Sequence, residues 1–384
     1  MGGQPGWDIL RANEETRRWQ HAADHPPRRD PGRRTGARLR PRSAPAAARR
    51  HGRWGRGGES GGLRVAAERR VVVLDDGYPD YEAERSILAA AGAELVLSPC
   101  RGDAAKAARE MAEADGVLVR ETPVDAAAIA ATRARVIVRY GVGYDNIDTA
   151  AAAARGIVVC NVPDYGTEEV SDHALALLLA AIRRIAEADR RVRAHGWGVP
   201  MDRKIHRIRG GTLGLVGYGR IGAAFHRKAS ALGYARVLVH DPFVREVPPG
   251  ASLASLDTIA TECDAISLHA PLTNATRHII GRGFLALVKP TLVLVNTSRG
   301  GLIDETALAA ALAEGRILAA GLDVYDSEPL RHDSPLRGLD NVVLTDHAAW
   351  YSEEAIAELQ RKAAEEVARV LRGEKPLYPV NTTR

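Results

Sequence analysis

The chain lacks any apolar run of about 18 residues, the length that a membrane-spanning helix requires. This absence predicts that no segment crosses a membrane. Cysteine is also scarce, because the 384 residues contain only Cys100, Cys160 and Cys263, at spacings typical of neither a disulfide framework nor a metal site. We therefore predict reduced thiols, a cytoplasmic protein and no bound metal.

Lysine is absent from residues 1–64, yet this segment is strongly basic. It carries 15 arginines against six acidic residues, whereas the whole chain has a net charge of only +5, so the remainder is mildly acidic. A mildly acidic body argues against nucleic-acid binding, since neutralising phosphates requires a positive surface. The abundance of Pro, Gly and Arg predicts that residues 1–64 are disordered. A nucleic-acid-binding arm and a mis-assigned translation start, with the true start at Val65, are open alternatives.

From residue 70 onward, short apolar runs alternate with helical patterns, which is typical of parallel sheets with crossover helices. One series of strands precedes a long predicted helix with Thr167 as its N-cap, and a second series follows it. Two series predict two α/β domains with a cleft between them, and a last helix from 351 to about 372 is expected to pack back on the first domain. The predicted strands are 71–74, 94–97, 116–119, 136–138 and 157–160, then TLGLVG, RVLVHD, DAISLHAP, TLVLVNTS, ILAAGLDVY and NVVLTD.

A glycine-rich loop lies between a strand and a helix of the second series. Gly217, Gly219 and Gly222 follow the pattern G-x-G-x-x-G, and Asp241 ends the next strand 19 residues after Gly222. This context is typical of dinucleotide binding, because the loop admits the pyrophosphate and the helix start offers free N–H groups. Asp241 would accept hydrogen bonds from the ribose and would repel a 2′-phosphate, so we predict NAD rather than NADP.

Polar residues follow three strands of the second series. They are Arg299 in NTSRGG, Glu328 in DSEP and His347 in TDHAAW. Ligands in such sheets lie outside the carboxyl ends of the strands, so these side chains are expected to converge. A guanidinium matches a carboxylate, and a histidine beside a carboxylate can exchange a proton near neutral pH. The set suits hydride transfer to a carbonyl, although His347 taken alone could equally cap the following helix.

Seven ordered segments also share their spacing with a known family. On these segments, residues 69–384 resemble the D-isomer-specific 2-hydroxyacid dehydrogenases, most closely the C-terminal binding protein branch, which is 3-phosphoglycerate dehydrogenase-like. The segments are RYGVGYDNID (139–148), CNVPDYGTEEVSDHALALLLAAIRR (160–184), GTLGLVGYGRIG (211–222), SLHAPLTNAT (267–276), LVNTSRGGLIDE (294–305), AGLDVYDSEPL (320–330) and TDHAAWYSEEA (345–355).

The resemblance implies roles for individual positions. Arg299, Glu328 and His347 would be catalytic, with His347 as the acid and base, and Asp323 would hold the nicotinamide carboxamide. Trp350 would suit a bulky or apolar substrate side chain, whereas Arg120 would suit an acidic one. The implied cofactor-binding residues are Val142, Gly217, Tyr218, Gly219, Arg220, Ile221, Gly222, Asp241, His269, Thr297, Ser298 and Asp323. The implied substrate-binding residues are Arg120, Val142, Gly143, Arg299 and Trp350.

The resemblance also implies an architecture and a partner. Two Rossmann-like α/β domains are expected, with the NAD-binding domain (168–350) inserted in a flavodoxin-like catalytic domain (69–167 plus 351–384). The expected function is NAD-dependent D-2-hydroxyacid dehydrogenation, carried out by a homodimer on a small 2-keto or 2-hydroxy acid. One alternative is an NAD-sensing, corepressor-like dimer with little turnover. Another is a formate dehydrogenase, which is disfavoured because such enzymes use Gln where this chain has Glu328.

Overall fold

In the computed structural model of the protein, the described residues are 69–381, and they form two parallel β-sheets. The α/β class predicted from the sequence, with two Rossmann-like parallel sheets, is confirmed. The predicted disordered segment 1–64 and the alternative start at Val65 lie outside the described residues. Among residues 69–381, no helix combines the length and apolarity needed to cross a membrane.

The first sheet has five strands in the order β2-β1-β3-β4-β5, which is the flavodoxin-like order. Its strands are short, and they are mostly apolar because helices cover both faces of the sheet. Aspartate side chains cap three of its four crossover helices by accepting backbone N–H groups of the first turn. The strands are β1 (Arg69–Val73), β2 (Ala93–Leu97), β3 (Gly116–Val119), β4 (Val136–Arg139) and β5 (Val158–Cys160). The helices are α1 (Glu82–Ala90), α2 (Ala104–Met111), α3 (Ala126–Ala131) and α4 (Thr149–Ala154).

The second sheet has seven strands in the order β12-β11-β10-β9-β6-β7-β8. The six strands that come first along the chain, β6 to β11, have the Rossmann order. The short edge strand β8 was not predicted, because its three residues carry no long apolar run. The strands are β6 (Thr212–Val216), β7 (Arg236–His240), β8 (Ala251–Leu253), β9 (Ala265–Leu268), β10 (Val293–Asn296), β11 (Ala319–Leu322) and β12 (Val342–Leu344). The helices in residues 167–313 are α5 (Thr167–Ile182), α6 (Ile185–Arg193), α7 (Arg220–Ala229), α8 (Leu256–Glu262), α9 (Arg282–Leu287) and α10 (Glu305–Ala313).

The helix predicted from Thr167 through the following arginines is two helices. Arg184 adopts φ 51° and ψ 40°, in the left-handed region, and this interrupts the hydrogen-bond ladder between α5 and α6. The N-cap residue is Gly166, and Thr167 is the first helical residue. The prediction of one continuous helix with Thr167 as its N-cap was therefore wrong. The residue types in this segment indicate neither the break at Arg184 nor the position of the N-cap.

The last helix, α11 (Glu353–Leu371), returns to the first sheet, as expected from the sequence. Its buried face includes Leu359, Ala363 and Val367, which share a core cluster with β1, β3 and β4. Beyond the helix, Val380 donates its backbone N–H to the carbonyl of Val159 at 2.8 Å and extends the edge at β5. The two sheets fall on either side of the predicted boundaries at 168 and 351, and the division into two domains stays a prediction.

Candidate active site

A cavity of about 510 Å³ lies where the carboxyl ends of the strands of both sheets meet. Loops after β1, β3, β4 and β5 form one wall, and loops after β6, β9, β10, β11 and β12 form the other. The predicted site residues that line the cavity are Arg120, Val142, Gly143, Gly219, Arg220, Ile221, His269, Thr297, Ser298, Arg299, Asp323, His347 and Trp350. The predicted residues outside the lining are Gly217, Tyr218, Gly222, Asp241 and Glu328.

His347 and Glu328 form a pair at the edge of this cavity. Nδ1 of His347 lies 2.6 Å from Oε2 of Glu328, and the other oxygen of Glu328 accepts the backbone N–H of Tyr325 at 2.9 Å. Burial raises the pKa of the Glu328 carboxyl, but the hydrogen bond and charge of His347 outweigh burial and hold the pKa below its ordinary value. Glu328 is therefore an ionised carboxylate that binds the imidazole at Nδ1.

The backbone of His347 lies in the left-handed region, with φ 57°, which is uncommon for a residue with a side chain. Asp323 holds it there: the carbonyl of Asp323 accepts the N–H of His347 at 2.8 Å, and its carboxylate accepts the N–H groups of Ala348 and Ala349 at 3.0 Å each. Thr345 Oγ1 adds a fourth hydrogen bond at 2.6 Å. This fully buried acid thus has the partners that its burial demands, and it positions the loop of His347.

Arg299 follows β10 and reaches across the cavity to the first sheet. Its Nε donates to Oδ1 of Asp145 at 3.0 Å, and its Nη1 donates to the carbonyl of Ser298 at 2.8 Å. Its Nη2 lies against Gly143, where an added Cβ would overlap it. Gly143 therefore allows the guanidinium to approach the backbone of the Gly141–Gly143 turn.

A second guanidinium, that of Arg139, also lies against this turn, at Gly141. A Cβ at Gly141 would overlap its Nη1. Nε of Arg139 is buried and has no hydrogen-bond partner within residues 69–381. Burial, and next the charge of Arg299, lower the pKa of Arg139. The turn is thus flanked by two cations, which suits a bound carboxylate.

Arg120 also lines the cavity, beside two aromatic rings. Its guanidinium carbon is 5.4 Å from the ring centre of Trp350 and 5.8 Å from that of Tyr78. Nη2 of Arg120 also pairs with Glu121 at 3.0 Å, although the Glu121 side chain is 71% exposed, so water screens this pair. From the sequence, Arg120 suited an acidic substrate side chain and Trp350 a bulky or apolar one. In the structure the two residues lie side by side in the lining of the cavity.

The glycine loop has the geometry that a dinucleotide requires. Gly217 has φ 90°, and a Cβ there would overlap the backbone at His269 and Ala270, whereas the space around Gly219 is open. The carboxylate of Asp241 accepts the N–H groups of Tyr218 and Phe243 at 2.8 and 2.9 Å. Asp241 therefore tethers the loop, and the N–H of Tyr218 is already engaged by it.

His269 differs from His347 in its protonation. It is half-buried next to the glycine loop, and its two ring nitrogens are buried without a hydrogen-bond partner in the described part of the chain. Burial lowers the pKa of His269 to about 3, so its imidazole is neutral near pH 7. Of these two histidines, only His347 has a carboxylate partner that would stabilise a transferred proton.

Sequence reasoning missed several residues of the cavity, among them Tyr78, Arg139, Asp145 and Tyr165. Their positions in the chain could have indicated them, because Arg139 ends β4 and the others lie in loops after strands of the first sheet. The candidates chosen from strand ends, Arg299, Glu328 and His347, all follow strands of the second sheet. Applying the same rule to both sheets would have found the missed residues.

The fold and the cavity define a class. A Rossmann-ordered sheet, a glycine loop with an acid after the second strand, and a carboxylate-bound histidine beside a guanidinium belong to NAD-dependent oxidoreductases.

Comparison with known proteins gives the family. The sequence model described as D-isomer specific 2-hydroxyacid dehydrogenase, NAD binding domain, matches residues 175–349. A glyoxylate reductase of Korarchaeum cryptofilum is 46% identical over 266 residues, which cover 67% of this chain and 80% of the relative. A D-3-phosphoglycerate dehydrogenase of Mycobacterium leprae is 42% identical over 310 residues, which cover 79% of this chain and 57% of the relative. The solved glyoxylate reductase of Paecilomyes thermophila superposes with a TM-score of 0.74 at 29% identity, over 81% of this chain and 98% of that chain.

The chain belongs to the D-isomer-specific 2-hydroxyacid dehydrogenase family. It is an NAD-dependent oxidoreductase that acts on a CH–OH group, with NAD(H) as its cofactor. The phosphoglycerate dehydrogenase-like placement is confirmed, although the chain spans little more than half the length of the M. leprae relative. The C-terminal binding protein branch, the homodimer and the cytoplasmic location stay predictions.

Proposed function

We propose that the protein interconverts a 2-keto acid and the corresponding D-2-hydroxy acid, with Arg299, Glu328 and His347 as its catalytic residues. The observation that supports this most strongly is the convergence of one guanidinium and one carboxylate-bound imidazole on a single cavity beside the glycine loop. NAD(H) supplies or accepts the hydride when it is bound. The residues of the chain bind the carboxylate, orient the carbonyl and move the proton.

His347 moves the proton at the C2 oxygen. Because Nδ1 faces Glu328, the nitrogen left for the substrate is Nε2. In reduction, Nε2–H donates its proton to the forming alkoxide, and in oxidation the neutral Nε2 accepts the hydroxyl proton. The ionised Glu328 keeps the proton on Nδ1 and stabilises the imidazolium.

Arg299 binds the carboxylate together with the Gly141–Gly143 turn. Its Nη2 lies against Gly143, and the guanidinium of Arg139 lies against Gly141 in the same turn. A carboxylate held there places the adjacent carbonyl between the guanidinium and His347. The same guanidinium then polarises the carbonyl as negative charge develops on its oxygen.

The test is NADH oxidation, followed at 340 nm, with glyoxylate, hydroxypyruvate, phosphohydroxypyruvate, phenylpyruvate and a methylthio-ketobutyrate. Turnover with at least one acid, higher with NADH than with NADPH, is the expected result. Tight NADH binding without turnover across the panel would contradict the proposal and favour the NAD-sensing alternative.

We further propose that the substrate side chain extends beyond C3 and ends in an acidic group. Arg120 supports this, since its guanidinium lies beside Tyr78 and Trp350 in the lining of the cavity, where it is a cation additional to that of Arg299. The rings contact an extended chain, and the cation binds its end.

Substitution of Arg120 tests this substrate class. Arg120→Leu is expected to raise the KM for phosphohydroxypyruvate about 10- to 100-fold more than the KM for glyoxylate, because only the longer acid reaches the lost cation. Steady-state kinetics with both acids measures the difference. Arg133→Leu is the matched control, since Arg133 is an exposed arginine of the same sheet region, paired with Glu113. Equal changes in the two KM values would contradict the acidic side chain.

A further inference from the structure

Asp145 contacts the catalytic guanidinium but has no role in the mechanism above. It lies in the loop after β4 of the first sheet, whereas Arg299 follows β10 of the second sheet. Oδ1 of Asp145 accepts the hydrogen bond from Nε of Arg299 at 3.0 Å, and the side chains of Arg299 and Asp145 are 23% and 48% exposed. This partly buried ion pair therefore bridges the cleft from one sheet to the other.

The bond at Nε determines which edge of the guanidinium is free. A planar guanidinium donates in fixed directions, so fixing two of its nitrogens fixes the third. Asp145 binds Nε, and the carbonyl of Ser298 binds Nη1. Nη2 is then held against Gly143, at the turn where the substrate carboxylate is placed by the proposed function.

Asp145 also balances charge in the cavity. Burial raises the pKa of the Asp145 carboxyl, but the charge and hydrogen bond of Arg299 outweigh this and lower the pKa below its ordinary value, with a smaller contribution from Arg139. Asp145 is therefore ionised near neutral pH. Its negative charge lies next to the positive charges of Arg299 and Arg139.

We propose that Asp145 is a positioning residue that orients Arg299 across the cleft, so that Nη2 faces the carboxylate of the substrate. This inference deepens the proposed function and rests on it. The hydrogen bond to Nε is the element that orients the side chain, and an acceptor at this position is therefore required. The negative charge alone would weaken binding of an anionic substrate.

Three substitutions at Asp145 separate the hydrogen bond from the charge. Asp145→Asn keeps an acceptor for Nε–H and removes the charge, whereas Asp145→Ala and Asp145→Leu remove the acceptor. We expect Ala and Leu to raise the KM of the best 2-keto acid about 10- to 100-fold, the usual effect of losing a charge-assisted hydrogen bond. The Asn variant is expected to keep a KM within about twofold of wild type or lower.

Two further readouts distinguish positioning from general destabilisation. Oxamate, an unreactive amide analogue of a 2-keto acid, is titrated into the enzyme–NADH complex, and NADH affinity and Tm are measured for each variant. Oxamate affinity should fall in parallel with the KM effect, while NADH affinity and Tm stay close to wild type. Asp333→Ala is the matched control, because Asp333 accepts from Nε of Arg331 at 2.9 Å on the exposed surface.

The outcomes separate this role from the function on which it depends. Wild-type protein that neither reduces a 2-keto acid nor binds oxamate with NADH would overturn the proposed function, and this role with it. Normal wild-type kinetics, with Ala and Leu variants unchanged in KM and oxamate affinity, would overturn the positioning role alone. An Asn variant as impaired as Ala would also overturn it, because charge rather than the hydrogen bond would then be decisive.

Discussion

Substitution of His347 by alanine is expected to lower turnover about 10²- to 10⁴-fold, the usual range for a general acid and base. The imidazole is bound to Glu328 at 2.6 Å and has one ring nitrogen left to exchange a proton with the substrate. Without it, the alkoxide formed on hydride transfer has no proton donor in place. Steady-state reduction of the best 2-keto acid gives the measurement, and NADH affinity should change little.

The control for this variant is His278→Ala. His278 is exposed, is not among the residues lining the cavity and shares the left-handed backbone of His347, with φ 51° against 57°. The two substitutions therefore change the same residue type in the same backbone region. Turnover of the His347 variant within about threefold of wild type would contradict the assignment of His347 as acid and base.

Replacement of Arg299 by glutamine should reduce kcat/KM about 10²- to 10³-fold, comparable to the loss of a donor that stabilises a developing oxyanion. Glutamine has neither the charge nor the length to bind Asp145, the carbonyl of Ser298 and the substrate together. Arg299→Lys should recover little activity, because a single ammonium cannot reproduce the planar fork. Both kcat and KM are measured, with NADH affinity as the check on folding.

Arg316→Gln provides the comparison for Arg299. Arg316 lies just beyond α10 with its side chain 40% exposed, and its Nε pairs with Glu314 at 2.6 Å. Its loss should leave kcat/KM within about twofold of wild type. An Arg299→Gln variant that keeps wild-type kcat/KM would refute the role of Arg299 in binding the substrate carboxylate.

Much of the second sheet was predictable from local pattern. Apolar runs marked six of its seven strands, and the rule that ligands lie at the carboxyl ends of parallel strands selected Arg299, Glu328 and His347. The same rule explains why the contact between Glu328 and His347 could be expected, although 19 residues separate them. Neighbouring strands bring their ends together whatever the sequence between them.

Other features had no local signal. The left-handed Arg184 that splits the helix after Thr167 is not a glycine, so nothing in the sequence marked it. The left-handed conformation of His347 depends on hydrogen bonds that its loop donates to Asp323, which follows another strand, β11. Such conformations are stabilised by distant partners, and a local pattern does not report them.

The sequence by itself determined the α/β class, the dinucleotide loop, the family motifs and three polar side chains at strand ends. The α/β class follows from apolar periodicity. The dinucleotide loop and the polar side chains follow from short motifs whose residue types indicate their chemistry. Only the tertiary structure decided that Asp145 contacts Arg299 across the cleft, that Arg139 lies beside the same turn with its Nε buried, and that Arg120 lies beside Tyr78 and Trp350. Asp145 and Arg299 are 154 residues apart in the chain, and their contact exists only because two separately patterned sheets meet along one cleft.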